Sequence, residues 1–100
     1  MANKLSRELQ QTKPFGSLEE EALLNILRTA DELTYEIGEA LRPEGLSPAT
    51  YNVLRILRGA GDDGRTCGEV GERLLTRVPD VTRLLDRLEE RGLVSRNRST

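Results

Sequence analysis

Residues 66–98 read TCGEVGERLLTRVPDVTRLLDRLEERGLVSRNR. The stretch opens on T-x-x-E, Thr66 to Glu69, a capping box in which the hydroxyl and the carboxylate satisfy each other's backbone N–H groups. A short helix follows to about Leu75, with Val70, Leu74 and Leu75 inward. Thr76-Arg77-Val78 reads as a turn, and Pro79 stands at the next helix start, where its missing N–H costs nothing. That helix runs to about Arg91, and Gly92 ends it. Within it Val81, Leu84, Leu85 and Leu88 fall at i, i+3, i+4 and i+7 and form one apolar stripe. Arg83, Asp86, Arg87 and Glu90 lie opposite, with Asp80 and Thr82 beside the stripe. Two short helices joined by about three residues have the spacing of a helix-turn-helix, here residues 66–91. Leu93 to Arg98 alternates and carries no cap, so it reads as a strand.

Upstream, Ser47-Pro48 predicts another helix: Ser47 as N-cap and Pro48 at the first position. Val53, Leu54 and Leu57 make its buried stripe, Tyr51 and Ile56 flank it, and Gly59 is its stop. Gly61-Asp62-Asp63-Gly64 is an exposed turn. Further back, Ser17-Leu18-Glu19-Glu20 is another capping box, opening a long helix to about Leu41. Its apolar residues Leu23, Ile26, Leu27, Ala30, Leu33, Ile37 and Leu41 recur at three and four; Arg42-Pro43 and Gly45 stop it. Residues 1–16 are a polar arm, either disordered or a short helical extension. The expected organisation is that arm followed by one mainly α domain over 17–100.

With 100 residues the core is modest, and a domain of this size is often marginal unless it oligomerises. Only Phe15, Tyr35 and Tyr51 are aromatic, which argues against a β-sandwich and against a stacking platform for single-stranded nucleic acid. The two tyrosines read as core packing. No apolar run reaches the ~20 residues of a membrane span, and the first residues lack the apolar stretch of a secretory signal. One cysteine, Cys67, forms no disulfide framework; it reads as a small residue near a helix start, in a reduced, cytoplasmic setting. No histidine is present, which removes the commonest general base and metal ligand. No catalytic constellation, metal site or cofactor motif is expected.

Charge is segregated. The chain carries net −2. Residues 17–45 sum to −6, whereas residues 65–100 sum to +2 and hold eight arginines. Only the C-terminal region is suited to phosphates. Arg83, within two turns of a helix start, is the candidate base reader, because arginine addresses guanine O6 and N7 bidentately. Arg77, in the turn, and Arg87, one turn on, suit phosphates; so do Arg73, Arg96 and Arg98. Thr82 suits a thymine methyl or a phosphate. A solvated face is the ordinary explanation for such a helix; the turn spacing, the caps and the following Gly-Leu-Val-x-Arg segment favour a groove reader.

LSPATYNVLRILRGAG (46–61), the capped TCGEVGERLL (66–75) and RVPDVTRLLDRLEERGLVSR (77–96) together resemble the MarR family of winged-helix regulators over about residues 30–98. The resemblance implies a homodimer whose first helix, here 17–42, packs with C-terminal helices. It implies a recognition helix in each major groove of a pseudo-palindrome, and a wing arginine from a D-x-R motif in the minor groove. It also implies release by small phenolic or other anionic effectors, or by oxidants. Pro79, Asp80, Thr82 and Arg83 match the groove-facing start of the recognition helix. Against the family pattern the sequence reads as C-terminally truncated, a fragment or a shortened relative. It reaches Ser99-Thr100 where the D-x-R turn should begin, so the wing is incomplete at its first strand, 93–98, and the long first helix keeps an uncovered apolar face.

The expectation is therefore a winged helix-turn-helix that binds double-stranded DNA as a sequence-specific regulator, a repressor released by a small-molecule or stress signal. The alternative is a helical protein–protein interaction module on the same scaffold that has lost DNA binding, suggested by the acidic balance and the incomplete wing.

Overall fold

The computed structural model describes residues 4–97. It contains five α-helices: α1 (Lys4–Glu8), α2 (Leu18–Leu41), α3 (Pro48–Ala60), α4 (Cys67–Arg73) and α5 (Val81–Glu90). Single 3-10 turns follow α2 (Arg42–Glu44) and α3 (Gly61–Asp63). The fold is mainly α, with no strand among the described residues. The chain divides into two compact units, residues 1–36 and 37–100.

In the first unit the polar arm is partly helical. Leu5 of α1 is buried, and Arg28 of α2 donates to Glu8 Oε2 at 3.0 Å. Ser17 starts α2 as its spacing predicts, its hydroxyl accepting the Glu20 N–H at 3.1 Å. No α2 residue is buried. The apolar stripe of the long helix stays open, Ile26 at 66% and Leu33 at 53% exposure. Tyr35 and Tyr51 are both exposed rather than packed in a core.

The second unit holds the main core. Val53 and Ile56 of α3, Val70 of α4, and Leu84, Leu85 and Leu88 of α5 form one buried cluster. Val53, Val70 and Leu88 are fully buried, one from each helix. Burying each such side chain contributes roughly 1.5–3 kcal/mol, so these three contacts tie three short helices that would not persist alone. Ile56 sits in this cluster rather than on its flank, whereas Leu54 and Leu57 pack against it partly buried. The stripe of α3 is thus rotated toward α5.

Caps define the ends. Ser47 and Thr50 form a reciprocal box at the start of α3: the Ser47 N–H donates to Thr50 Oγ1 at 2.8 Å, the Thr50 N–H to Ser47 Oγ at 3.2 Å. The helix passes through Gly59 and stops at Gly61, whose φ of 73° releases its N–H to the Arg58 carbonyl. Gly61, not Gly59, is the stop because it takes the positive φ. Gly92, at φ 75°, ends α5 as expected. Its N–H reaches the Glu89 carbonyl and the Leu93 N–H reaches that of Leu88, each at 2.9 Å, the paired bonds of a Schellman motif. Arg91 then bridges back: Nη1 donates to the Gly45 carbonyl at 2.9 Å and Nη2 to that of Glu44 at 3.0 Å. Gly45 has φ 70°, and a Cβ there would lie 3.4 Å from that guanidinium.

Two further expectations change. The connection between α4 and α5 is not a three-residue turn at Thr76–Val78 but seven residues, Leu74–Asp80. The backbone leaves helical geometry at Leu74 (ψ 139°), and Leu74 and Val78 pack on the core while Leu75 stands 82% exposed. The strand predicted over 93–98 is not formed among the described residues, and Arg98 lies outside them. The alternation behind that reading is real: Val94 and Arg96 are partly buried while Leu93, Ser95 and Asn97 are exposed. Side-chain contacts satisfy it, with Val94 on the core and Arg96 on α5, and no described segment lies alongside to make a ladder.

Leu88→Ala should destabilise the protein by about 2–5 kcal/mol in urea denaturation. Leu75→Ala should stay within about 0.5 kcal/mol of the parent; similar losses at both positions would mean that Leu75 is a core residue.

Candidate nucleic-acid interface

The start of α5 is set by Asp80. Its Oδ1 accepts the Arg83 backbone N–H at 3.1 Å, so Asp80 is the N-cap and the helix begins at Val81, two residues after Pro79. The cap fixes the rotation of the helix. Leu84, Leu85 and Leu88 turn into the core; Thr82, Arg83, Asp86, Arg87 and Glu90 stay outside. α4 is set in the same way: the Glu69 N–H donates to Thr66 Oγ1 at 3.1 Å and the Thr66 N–H to Glu69 Oε1 at 2.9 Å. That second bond, chiefly, holds the Glu69 carboxyl below the usual glutamate range, aided by Arg65 and Arg73.

The arginines fall into two groups. Arg77, in the connection, and Arg83 and Arg87, one turn apart on α5, are exposed, and among the described residues their guanidinium groups have no ion-pair or hydrogen-bond partner. Two other arginines of the predicted interface, Arg73 and Arg96, are engaged. Arg73 donates to the Glu69 carbonyl at 3.0 Å and lies 3.9 Å from Glu72. Arg96 donates through Nη2 to Glu89 Oε1 at 2.8 Å and to Asp86 Oδ1. Both carboxylates raise the proton affinity of Arg96 above that of a free guanidinium. Thr82 sits beside the start of α4, its Oγ1 3.6 Å from Cys67 Sγ. Pro79 is exposed just before the cap.

The sequence alone does not reveal the Asp86–Arg96–Glu89 cluster. Its trace was the i, i+3 spacing of two acids on α5 and the alternation that turns Arg96 inward. The Arg91 bridge had no sequence signal, because its partners are backbone carbonyls more than 40 residues away. An open, mainly apolar cleft of about 420 Å³ lies between the start of α3 and the end of α5, with Ser47, Thr50, Arg87 and Leu88 in its lining. Among the described residues there is no cluster of metal-ligating side chains and no helix long and apolar enough to cross a membrane.

Residues 44–100 match the family model described as MarR family, a span that takes in α3, α4, α5 and the whole of the second core. The chain belongs to the MarR family. No curated protein and no solved structure matches it. As a MarR-family chain it is a DNA-binding transcriptional regulator of the helix-turn-helix type. Beyond its cap α5 carries two guanidinium groups, Arg83 and Arg87, unpaired among the described residues.

Asp80→Ala should cost about 0.5–2 kcal/mol, read by urea denaturation, because the Arg83 N–H loses its acceptor. A loss no larger than that of an exposed Glu90→Ala control would mean the cap contributes nothing. The Glu69 box is pH-dependent in a defined direction. A lowered folded-state pKa means its stabilisation is complete above the ordinary glutamate range and fades as pH falls through the lowered value. Glu69→Gln should therefore lose stability relative to the parent at pH 7, with the gap closing below about pH 4 in thermal melts; a gap that widens in acid would contradict this.

Proposed function

We propose that the protein is a sequence-specific regulator that represses transcription by placing α5 in the DNA major groove. The observation that carries this is Arg83: exposed, unpaired, and one turn beyond the Asp80 cap of a helix whose other face is the core. In this reading Arg83 reads guanine. Arg77 and Arg87 hold phosphates, with Arg73 beside them, and Thr82 meets a thymine methyl or a phosphate. Pro79 and Asp80 place the helix start against the backbone, where its N–H groups favour an anion. Arg98 belongs to the wing that would complete the contact. The domain works as residues 17–100, in the cytoplasm, by binding rather than by catalysis. Two copies associate through the exposed stripe of α2 and read half-sites roughly 34–36 Å apart. A small phenolic or anionic effector, or another stress signal, releases the DNA.

Two observations favour a second reading. The α2 stripe is exposed from Leu23 to Ile37 and the chain is acidic overall, as suits a protein–protein module that has given up DNA. A mobility shift on genomic duplex across a salt series separates the two. The regulator binds at low salt with affinity that falls as salt rises; absence of binding at low salt leaves the interaction module.

On a duplex selected by the parent protein, Arg83→Ala should weaken binding by about 1–3 kcal/mol and relax base preference at one position. Equal losses on selected and random duplex would remove Arg83 as a base reader.

A further inference from the structure

Arg83, Arg87 and Arg91 recur every four residues along α5 and its C-cap, so spacing alone makes them one basic row. The structure breaks the row. Arg83 and Arg87 end in guanidinium groups without a partner among the described residues, whereas both Nη atoms of Arg91 donate to backbone. Nη1 meets the Gly45 carbonyl at 2.9 Å and Nη2 that of Glu44 at 3.0 Å. These carbonyls belong to consecutive residues between α2 and α3. The planar fork is thus held at two points by backbone rather than by a flexible side chain.

The place of the bridge matters. The apolar packing of α5 runs from Val81 to Leu88. The C-terminal end of the helix borders the open cleft of about 420 Å³ that lies between it and the start of α3. Arg91 and Gly45 both line that cleft, and the fork joins its two sides. Apolar contact is non-directional, so by itself it leaves a helix some freedom to slide or rock on its neighbour. Two hydrogen bonds of fixed direction remove that freedom at this end. Arg83 lies eight residues away on the same helix, about 12 Å along a stiff rod, so what moves one end moves the other.

We propose that Arg91 is a positioning residue of α5: it holds the helix in the place and tilt that carry Arg83 and Arg87 to DNA, and it is not itself a phosphate ligand. The proposal rests on the DNA-binding reading above. To reach a phosphate, Arg91 would give up two charge-assisted bonds and release the end of the helix that it holds.

The test compares parent, R91A and R91K on one selected duplex over a salt series, at a temperature where circular dichroism shows each protein folded. R91A should bind about three- to thirtyfold more weakly, the range in which residues that touch no ligand alter binding. Its salt slope should stay within about 0.4 of the parent's, whereas loss of a phosphate ligand lowers the slope by about 0.9. R91K keeps the charge, but its ammonium is closer to the backbone and offers no fork. It should therefore bind more like R91A than like the parent, and it carries the test if R91A does not fold. A folded R91A protein that loses less than about threefold reduces the bridge to a stabilising contact. A slope lowered by one phosphate, or an R91K protein that binds like the parent, makes Arg91 a phosphate ligand. Each of these results overturns the proposal and leaves α5 on DNA. A parent that binds no duplex at low salt removes the DNA-binding reading and this proposal with it.

Discussion

Everything in the second unit depends on how Leu84, Leu85 and Leu88 of α5 pack against Val53 and Ile56 of α3 and Val70 of α4. That contact is small, and it sets the rotation of α5 about its own axis. A helix carrying four apolar positions at i, i+3, i+4 and i+7 has one face it can bury. Once that face meets α3, the residues left outside are determined: Thr82, Arg83, Asp86, Arg87 and Glu90. The Asp80 cap and the Gly92 turn then fix where the helix starts and stops. The exposed face of α5 is thus the remainder left by a hydrophobic decision.

The Arg91 bridge adds a second constraint from the other end. Cations near a helix C-terminus are favoured by its dipole, and this one also satisfies two carbonyls of the turn that precedes α3. The bridge fastens the end of α5 to the start of α3 without apolar surface, which a core of six buried side chains cannot spare. Gly45 belongs to the same device, since its left-handed backbone, which side chains rarely adopt, aims the carbonyl at the guanidinium.

Charge explains how an acidic protein can present a DNA-binding surface. The negative charge is concentrated in residues 17–45, while eight of the thirteen arginines lie after residue 64. Even there, acids nearly match bases in number. The structure sorts them by partner: Glu69 caps α4, Asp80 caps α5, and Asp86 and Glu89 hold Arg96. Arg65, Arg77, Arg83 and Arg87 are left without a hydrogen bond or ion pair among the described residues. Net charge says little about such a surface; the pairing pattern says more.

The sequence by itself determined the local rules. Caps at Ser17, Ser47 and Thr66, the stop at Gly92, and the apolar stripes of α2 and α5 all follow from interactions within a few residues, so spacing was enough to read them. The family resemblance was likewise legible in the strings that carry those caps and stripes. The stop of α3 was misplaced by two residues, at Gly59 instead of Gly61, because only the backbone shows which glycine takes a positive φ. Burial was less legible: Ile56 moved into the core, and Leu75, Tyr35 and Tyr51 lie outside it, since burial depends on where the neighbouring helix sits. Tertiary structure alone decided the α4–α5 connection, the Arg91 bridge and the partners of Arg96. In each case the partners are distant in sequence or are backbone atoms with no residue-type signature, so no periodicity could announce them. The helix-turn-helix was written in the order of the residues, but which of its arginines stay unpaired was settled by packing.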